Sequence, residues 1–243
     1  MRFEFGFLYS FTAVWLVTML GSGAYLWWYK REWFQIDILL IGLIGGILGG
    51  RIDFVMQNSS YFQGNIDQIG QFFNGGIGYH GVVWGALLAT ALFCRIKQRS
   101  WSKQLANLTL FMPIWHTAGW AACWLDGCAY GQTAYIGWFT AELPDHLGVI
   151  AVRYQTQLAG LALSLCITLT VCLWFRTVDN RSDRFWLAFF LCQIAMFSIS
   201  FWRGDMLLIQ YGPVPSNGLF LFNMLLAVLF IGLNFLHHRT KKR

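Results

Sequence analysis

The sequence predicts an all-α integral membrane protein of about seven transmembrane helices, N-terminus outside and C-terminus cytoplasmic. Three observations predict it. Of the 243 residues, 57% are hydrophobic and only 12% charged, whereas ordinary soluble domains carry about 25% charged residues. Apolar runs near the roughly 20 residues of a spanning helix follow one another along the chain, with no polar stretch long enough for a soluble domain. The basic residues are also unevenly placed. Thirteen (Lys30, Arg31, Arg95, Lys97, Arg99, Lys103, Arg176, Arg181, Arg184, Arg239, Lys241, Lys242 and Arg243) fall at one set of helix ends, against Arg2, Arg51, Arg153 and Arg203 at the other. Cytoplasmic loops collect Lys and Arg, so this asymmetry sets the orientation.

The expected spans cover 5–28, 36–56, 77–94, 105–125, 155–175, 185–202 and 218–236. The run from Phe5 is too long for a cleavable signal and lacks a small-residue exit, so it reads as the first span. No internal repeat or low-complexity linker interrupts the chain, which predicts a single transmembrane helical domain over 1–243. The net charge of +6 is scattered at helix ends; topology explains it, and nucleic acid is not an expected partner. The six cysteines lie mostly inside apolar runs, where Cys acts as a small hydrophobe. They lack metal-type spacing and give no compartment signal. Cys123 and Cys128 stand near an outer helix end. If that end stays helical their side chains diverge by roughly 140°, so no disulfide is expected and Cys128 is expected to pack. His116 reads as an interhelical hydrogen-bonding group; no second histidine or carboxylate recurs at ligand spacing, so neither a metal nor a cofactor is expected.

The residues that can carry chemistry gather at the outer ends. Asn74-Gly75-Gly76-Ile77-Gly78-Tyr79-His80-Gly81 is a glycine-dense entry into an apolar helix. An imidazole at membrane depth is costly and reads as functional by default. Neutral His80 can take a proton from a thiol or hydroxyl near pH 7, and the glycines beside it are read as room for a substrate. The other reading is a structural histidine bonded to a helix carbonyl. Arg51, Arg153 and Arg203 share this level with Asp53, Asp126, Asp205 and Tyr79. Three guanidinium groups at one depth suit an anionic headgroup; equally, each can snorkel or pair with an aspartate. The outer segments 57–76 and 126–151 are longer than the inner ones. In the second, Tyr135-Ile136-Gly137-Trp138-Phe139 is expected to lie on the outer leaflet, a lid over a lateral lipid entrance being the alternative.

Five short motifs on this topology resemble the bacterial prolipoprotein diacylglyceryl transferase family over nearly the whole chain. Gly49-Gly50-Arg51-Ile52 is similar to the glycine-arginine end of the family's second span, and Gly76-Ile77-Gly78-Tyr79-His80-Gly81 to its His-Gly-Gly segment, with Val82 in place of the second glycine after the histidine. Residues 119–131, GWAACWLDGCAYG, match the length of the signature G-R-x-G-N-F-x-N-G-x-x-x-G. Tyr154-Gln155-Thr156-Gln157-Leu158 and Phe201-Trp202-Arg203-Gly204-Asp205 resemble two later elements. The chain departs from the family at Trp120 (arginine expected), Cys123 and Asp126 (asparagine common), Met196 (a second arginine), Ser200 (a glutamate) and Phe5 (a tyrosine), while Tyr9 remains. Trp for Arg removes a fixed charge and several donors.

The resemblance implies transfer of a diacylglyceryl group from phosphatidylglycerol to the lipobox cysteine of a lipoprotein precursor, giving a thioether. It implies a multi-pass protein of the bacterial inner (plasma) membrane whose partners are phosphatidylglycerol, the precursor's signal peptide and the bilayer. On this reading His80 is the catalytic base. Arg51, Tyr79, Gly81, Asp126, Gly127, Gly131, Gln157 and Arg203 bind substrate, with Arg153 as a further cation. The departures keep two other readings open: a non-catalytic lipid- or partner-binding relative, and a same-fold transferase with another lipid or thiol.

Overall fold

The computed structural model describes residues 4–30, 32–71, 76–145, 147–175, 183–205, 210–211 and 214–240. The side chains of Phe5, Tyr9 and Asp126 lie outside the described residues, as do Arg2, Arg31, Asn74, Gly75, Arg176, Arg181, Lys241, Lys242 and Arg243. The chain runs through α1 (Glu4–Lys30), α2 (Phe34–Gln57), α3 (Ser59–Gln63), a 3-10 turn (Ile66–Gln68), α4 (Tyr79–Ile96), α5 (Trp101–Leu108) and α6 (Phe111–Asp126). A hairpin of β1 (Thr140–Pro144) and β2 (Ile150–Tyr154) follows, then α7 (Thr156–Phe175), α8 (Asp183–Ser200), the two-residue strands β3 (Gln210–Tyr211) and β4 (Val214–Pro215), and α9 (Ser216–Thr240).

Among the described residues, α2, α4, α7, α8 and α9 are long and apolar enough to cross a bilayer. The expected run 105–125 is not one helix. It breaks at Thr109 and Leu110 into α5 and α6. Pro113 explains the break: proline has no N–H, and its ring would collide with the Thr109 carbonyl in a continuous helix, whereas the first turn of a new helix accepts it. The Thr109 hydroxyl turns back to the carbonyls of Leu105 and Ala106 instead (3.3 and 3.0 Å).

Two compact units are distinguished, one comprising Met19–Gln104 with Gln210–Val214, the other Met1–Thr18, Leu105–Ile209 and Pro215–Arg243. In the first, α2 packs on α4 along a glycine seam. Gly45 and Gly49 of α2 meet Gly81 and Gly85 of α4, and a Cβ at any of the four would overlap the opposite backbone. Small residues four apart on both helices bring two backbones together in this way, which lipid-embedded helices exploit because no hydrophobic force drives them together. Gln35 Nε2 donates to Gln104 Oε1 (2.8 Å), joining α2 to α5.

In the second unit α6 packs on α7 and α8, and α8 on α7 and α9. Cys192, Phe189, Ile199 and Phe220 are almost fully buried there. Asn223 of α9 donates to Gln193 of α8 at 3.0 Å; both are 0% exposed, so each satisfies the other where water is absent. The β1–β2 hairpin places Ala141 opposite Arg153. Tyr135, Ile136 and Trp138 just before it are 97, 89 and 96% exposed, an apolar tip of the kind expected of an interfacial segment.

Candidate functional site

His80 stands in the first turn of α4, whose N-cap is Gly78 in an extended conformation. It is buried at 6% exposure, and its ring lies edge-on to that of Tyr79, with centroids 5.3 Å apart. The glycines beside it are not open space. A Cβ on Gly78 would overlap the Asp53 carboxylate, and one on Gly81 would overlap Gly49 O and the Asp53 Cβ. The Gly78 N–H donates to Gly50 O at 2.8 Å. The room read into this stretch is therefore occupied by α2, and Gly81 serves the helix seam.

Arg51, in the last turns of α2, is buried at 5% exposure. Its Nε donates to Ile69 O (2.8 Å), Nη2 to Gln68 O (2.6 Å) and Nη1 to Gly76 O (3.3 Å). The guanidinium also lies over the rings of Phe54 and Phe62, 5.6 and 5.5 Å from their centroids. One side chain thus ties Gln68, Ile69 and Gly76 of the outer segment back to α2. Carbonyl oxygens orient a guanidinium without cancelling its formal charge, so Arg51 is both a loop fastener and a fixed cation.

The other predicted residues belong to the second unit, which brings Gly127, Gly131, Gln157 and Arg203 together with Arg153. Here a sequence expectation fails: Cys123 and Cys128 form a disulfide, with Cα atoms 4.6 Å apart. The 140° divergence assumed a continuing helix, but α6 ends at Asp126 and Gly127 takes the left-handed conformation (φ 71°). That conformation is routine for glycine at a helix C-terminus. It reverses the chain and returns Cys128 to Cys123. Ala129 follows with φ 54°, a region costly for a residue with a Cβ. It is held there by the Thr156 hydroxyl, which donates to Ala129 O (2.7 Å), and by Gln157 Nε2, which donates to Cys128 O (2.8 Å).

Gly131 pairs with Arg203 as an isolated antiparallel bridge, and its Cα lies so close to the Tyr154 carbonyl that no side chain fits. Arg203 is engaged on two sides. Nε and Nη2 donate to Asp205 Oδ1 and Oδ2 at 2.9 and 2.6 Å, a fork-to-fork pair. Its Cζ lies 5.9 Å from the centroid of the Trp120 ring. Trp120, at the position of the expected signature arginine, is 5% exposed and lies flat against Gly160, where any side chain would strike its ring. Arg153 repeats the pattern, paired with Asp145 (2.9 Å) and 5.1 Å from the Tyr130 ring centroid. Burial first, then the carboxylates of Asp205 and Asp145, push the Tyr130 hydroxyl above the usual tyrosine range, against an opposing pull from Arg153.

The pairing of an outer arginine with an aspartate, kept open from the sequence, is what Arg203 and Asp205 do. Sequence reasoning missed Asp145 as the counter-ion of Arg153 and Asp53 as the acceptor of the Gly81 N–H at 2.8 Å. For Asp145 a signal existed, since it lies eight residues from Arg153. For Asp53 none did: its partner is 28 residues away.

With this geometry in view, comparisons with known proteins give a consistent answer. The family profile described as prolipoprotein diacylglyceryl transferase matches residues 4–233. A protein of Rhodospirillum rubrum, named phosphatidylglycerol–prolipoprotein diacylglyceryl transferase, is 28% identical over 190 residues, covering 70% of this chain and 66% of its own. Proteins of the same name from Idiomarina loihiensis and Cupriavidus pinatubonensis are 29 and 31% identical, covering 72 and 55% of this chain and 65 and 49% of their own. The chain thus spans about half to two thirds of the length of these relatives.

Proposed function

Because the chain belongs to the prolipoprotein diacylglyceryl transferase family, we propose that it transfers a diacylglyceryl group from phosphatidylglycerol to the lipobox cysteine of a lipoprotein precursor. The precursor's sulfur attacks the glyceryl carbon that carries the phosphate. A C–S bond forms as the C–O bond breaks, and glycerol phosphate leaves with the electron pair. The thiol proton goes to His80, because the thiolate is the nucleophile and needs a base near pH 7.

The remaining roles divide by unit. In the first, Arg51 supplies fixed positive charge and Tyr79 a hydroxyl, while Gly81 keeps α4 close to α2. In the second, Arg203 and Arg153 balance phosphate charge, Gln157 and Asp126 orient glycerol hydroxyls, and Gly127 and Gly131 permit the backbone path that holds them. Seven spans with the N-terminus outside are part of this reading, at the inner membrane of a bacterium. The thirteen-to-four division of basic residues supports that orientation. So does the Cys123–Cys128 disulfide at the expected outer end of α6, since disulfides persist in oxidising compartments.

The observation that carries the proposal is the family match along 4–233, with its histidine motif at the start of α4. The test is direct. The purified full chain, given phosphatidylglycerol micelles and a lipobox peptide, is expected to yield a thioether-linked diacylglyceryl peptide by mass spectrometry. No product from a folded sample refutes it.

One observation favours a second reading, a relative that binds lipid without turnover. Trp120 fills the signature arginine's place, and the nearby Arg203 is neutralised by Asp205. That reading predicts phosphatidylglycerol binding unaffected by His80→Ala and no thioether under any condition.

A further inference from the structure

Asp53 has no part in the roles above, yet it touches the helix turn that carries His80. The residue is only 7% exposed, in a helix otherwise rich in aliphatic residues and glycine. A carboxylate kept there needs strong partners. One is the Gly81 N–H, which donates to Oδ2 at 2.8 Å.

That N–H is one of the donors that every helix start leaves without an intrahelical acceptor. Normally a Ser, Thr, Asn or Asp at the N-cap accepts it. Here the N-cap is Gly78, which has no side chain, and no local cap forms. Asp53 does the capping from the neighbouring helix. Gly78 must be glycine for this, since a Cβ would overlap the carboxylate and crowd Gln57 Nε2 at 2.7 Å. The flanks of His80 are therefore both fastened to α2, Gly78 through Gly50 O and Gly81 through Asp53.

A carboxylate does something here that a neutral cap would not. The start of α4 is the positive end of its dipole, and His80 gains a positive charge there when it accepts a proton. Asp53 sets a negative charge at the same helix end, against the amide next to His80. We propose that Asp53 is a positioning residue for His80, holding its turn against α2 and offsetting the positive charge that develops on it. The proposal rests on the transferase reading for its kinetic part and on the fold alone for its structural part.

The experiment compares Asp53→Asn and Asp53→Ala with the wild-type full chain in detergent. Asparagine keeps an oxygen for the Gly81 N–H and loses the charge; alanine loses both. Steady-state transfer from phosphatidylglycerol to a lipobox peptide and amide hydrogen exchange of the peptide containing His80 and Gly81 are both measured. Asp53→Asn is expected to keep wild-type protection while kcat falls about tenfold, as expected for a charge near a helix end, with KM for phosphatidylglycerol changed less than twofold. Asp53→Ala is expected to lose protection and kcat together. Wild-type kcat in Asp53→Asn, or wild-type protection in Asp53→Ala, overturns the proposal. If the wild-type protein makes no product, the transferase reading fails, and the exchange result with Asp53→Ala still decides whether Asp53 holds the turn.

Discussion

The glycine seam makes a prediction in which one chemical change has opposite signs at two places. Gly85→Ala adds a methyl group that overlaps Gly45 O and lies 3.0 Å from the Gly49 Cα. Both are backbone atoms and cannot rotate away, so α4 must move off α2. Overpacking of this kind costs about 1–3 kcal/mol. The movement also stretches two hydrogen bonds, Gly78 N–H to Gly50 O and Gly81 N–H to the Asp53 carboxylate (both 2.8 Å). A neutral bond contributes about 0.5–1.5 kcal/mol and one to a charged group about 1.5–3 kcal/mol. Alanine recovers up to about 1 kcal/mol of helix propensity. The expected net loss is about 2–4 kcal/mol, together with loss of transfer activity. Gly232→Ala, in α9, has nothing within 4 Å of its Cβ, and only the propensity gain of about 0.5–1 kcal/mol applies. Denaturant titration in a single detergent, followed by tryptophan fluorescence, measures both variants. Equal stability of Gly85→Ala and wild type, or an equal loss in Gly232→Ala, would refute the seam as the element that sets the α2–α4 distance.

Other perturbations test the second unit. Cys123→Ser with Cys128→Ser opens a loop of sequence separation 5, for which loop-closure entropy predicts a loss of about 2 kcal/mol; non-reducing peptide mapping verifies the bond in the parent. Asp205→Asn removes the carboxylate that neutralises Arg203. The pair is partly exposed, so the stability loss stays at about 1 kcal/mol, while binding to phosphatidylglycerol micelles tightens and becomes more salt-sensitive. Tyr130 has a raised folded-state pKa. Its contribution to stability is therefore complete below the unfolded tyrosine pKa of about 10 and lost as pH climbs through the folded value. Tyr130→Phe is expected to flatten the alkaline limb of stability against pH, and an unchanged limb would contradict that assignment.

Helix positions were legible in the sequence because twenty-residue apolar runs need no partner to be recognised. The limits appear where the backbone leaves regular geometry or where partners are distant in the chain. Pro113 is a local break signal inside any helix, and an unbroken span over 105–125 overlooks it. Gly127 can be helical or left-handed, and only the second choice closes the Cys123–Cys128 bond. The glycines around His80 were visible, but whether they admit a substrate or a helix depends on Gly45 and Gly49, which lie more than thirty residues away in the chain. Arg51 stands out in the sequence as an arginine at the outer end of a helix. Its three carbonyl partners could not be foreseen, since backbone acceptors carry no residue identity.

Trp120, where the resemblance leads one to expect arginine, is matched by its neighbours. Trp120 for arginine requires space, and Gly160 of α7 provides it. The indole face then receives Arg203, whose charge is already matched by Asp205. Arg153 is likewise matched by Asp145. Two arginines and two aspartates leave this cluster with no net charge, so a lipid phosphate has to compete with Asp205 for the Arg203 fork. Competition of that kind weakens ground-state binding of the anion. It is compatible with catalysis only if the phosphate gains more from Arg203 as it leaves than it does while bound, the condition for any charge to lower a barrier. The two functional readings therefore separate at one side chain. If the chain is a transferase, Asp205→Asn lowers KM for phosphatidylglycerol and leaves kcat within about threefold. If it only binds lipid, the same substitution tightens binding and no thioether appears.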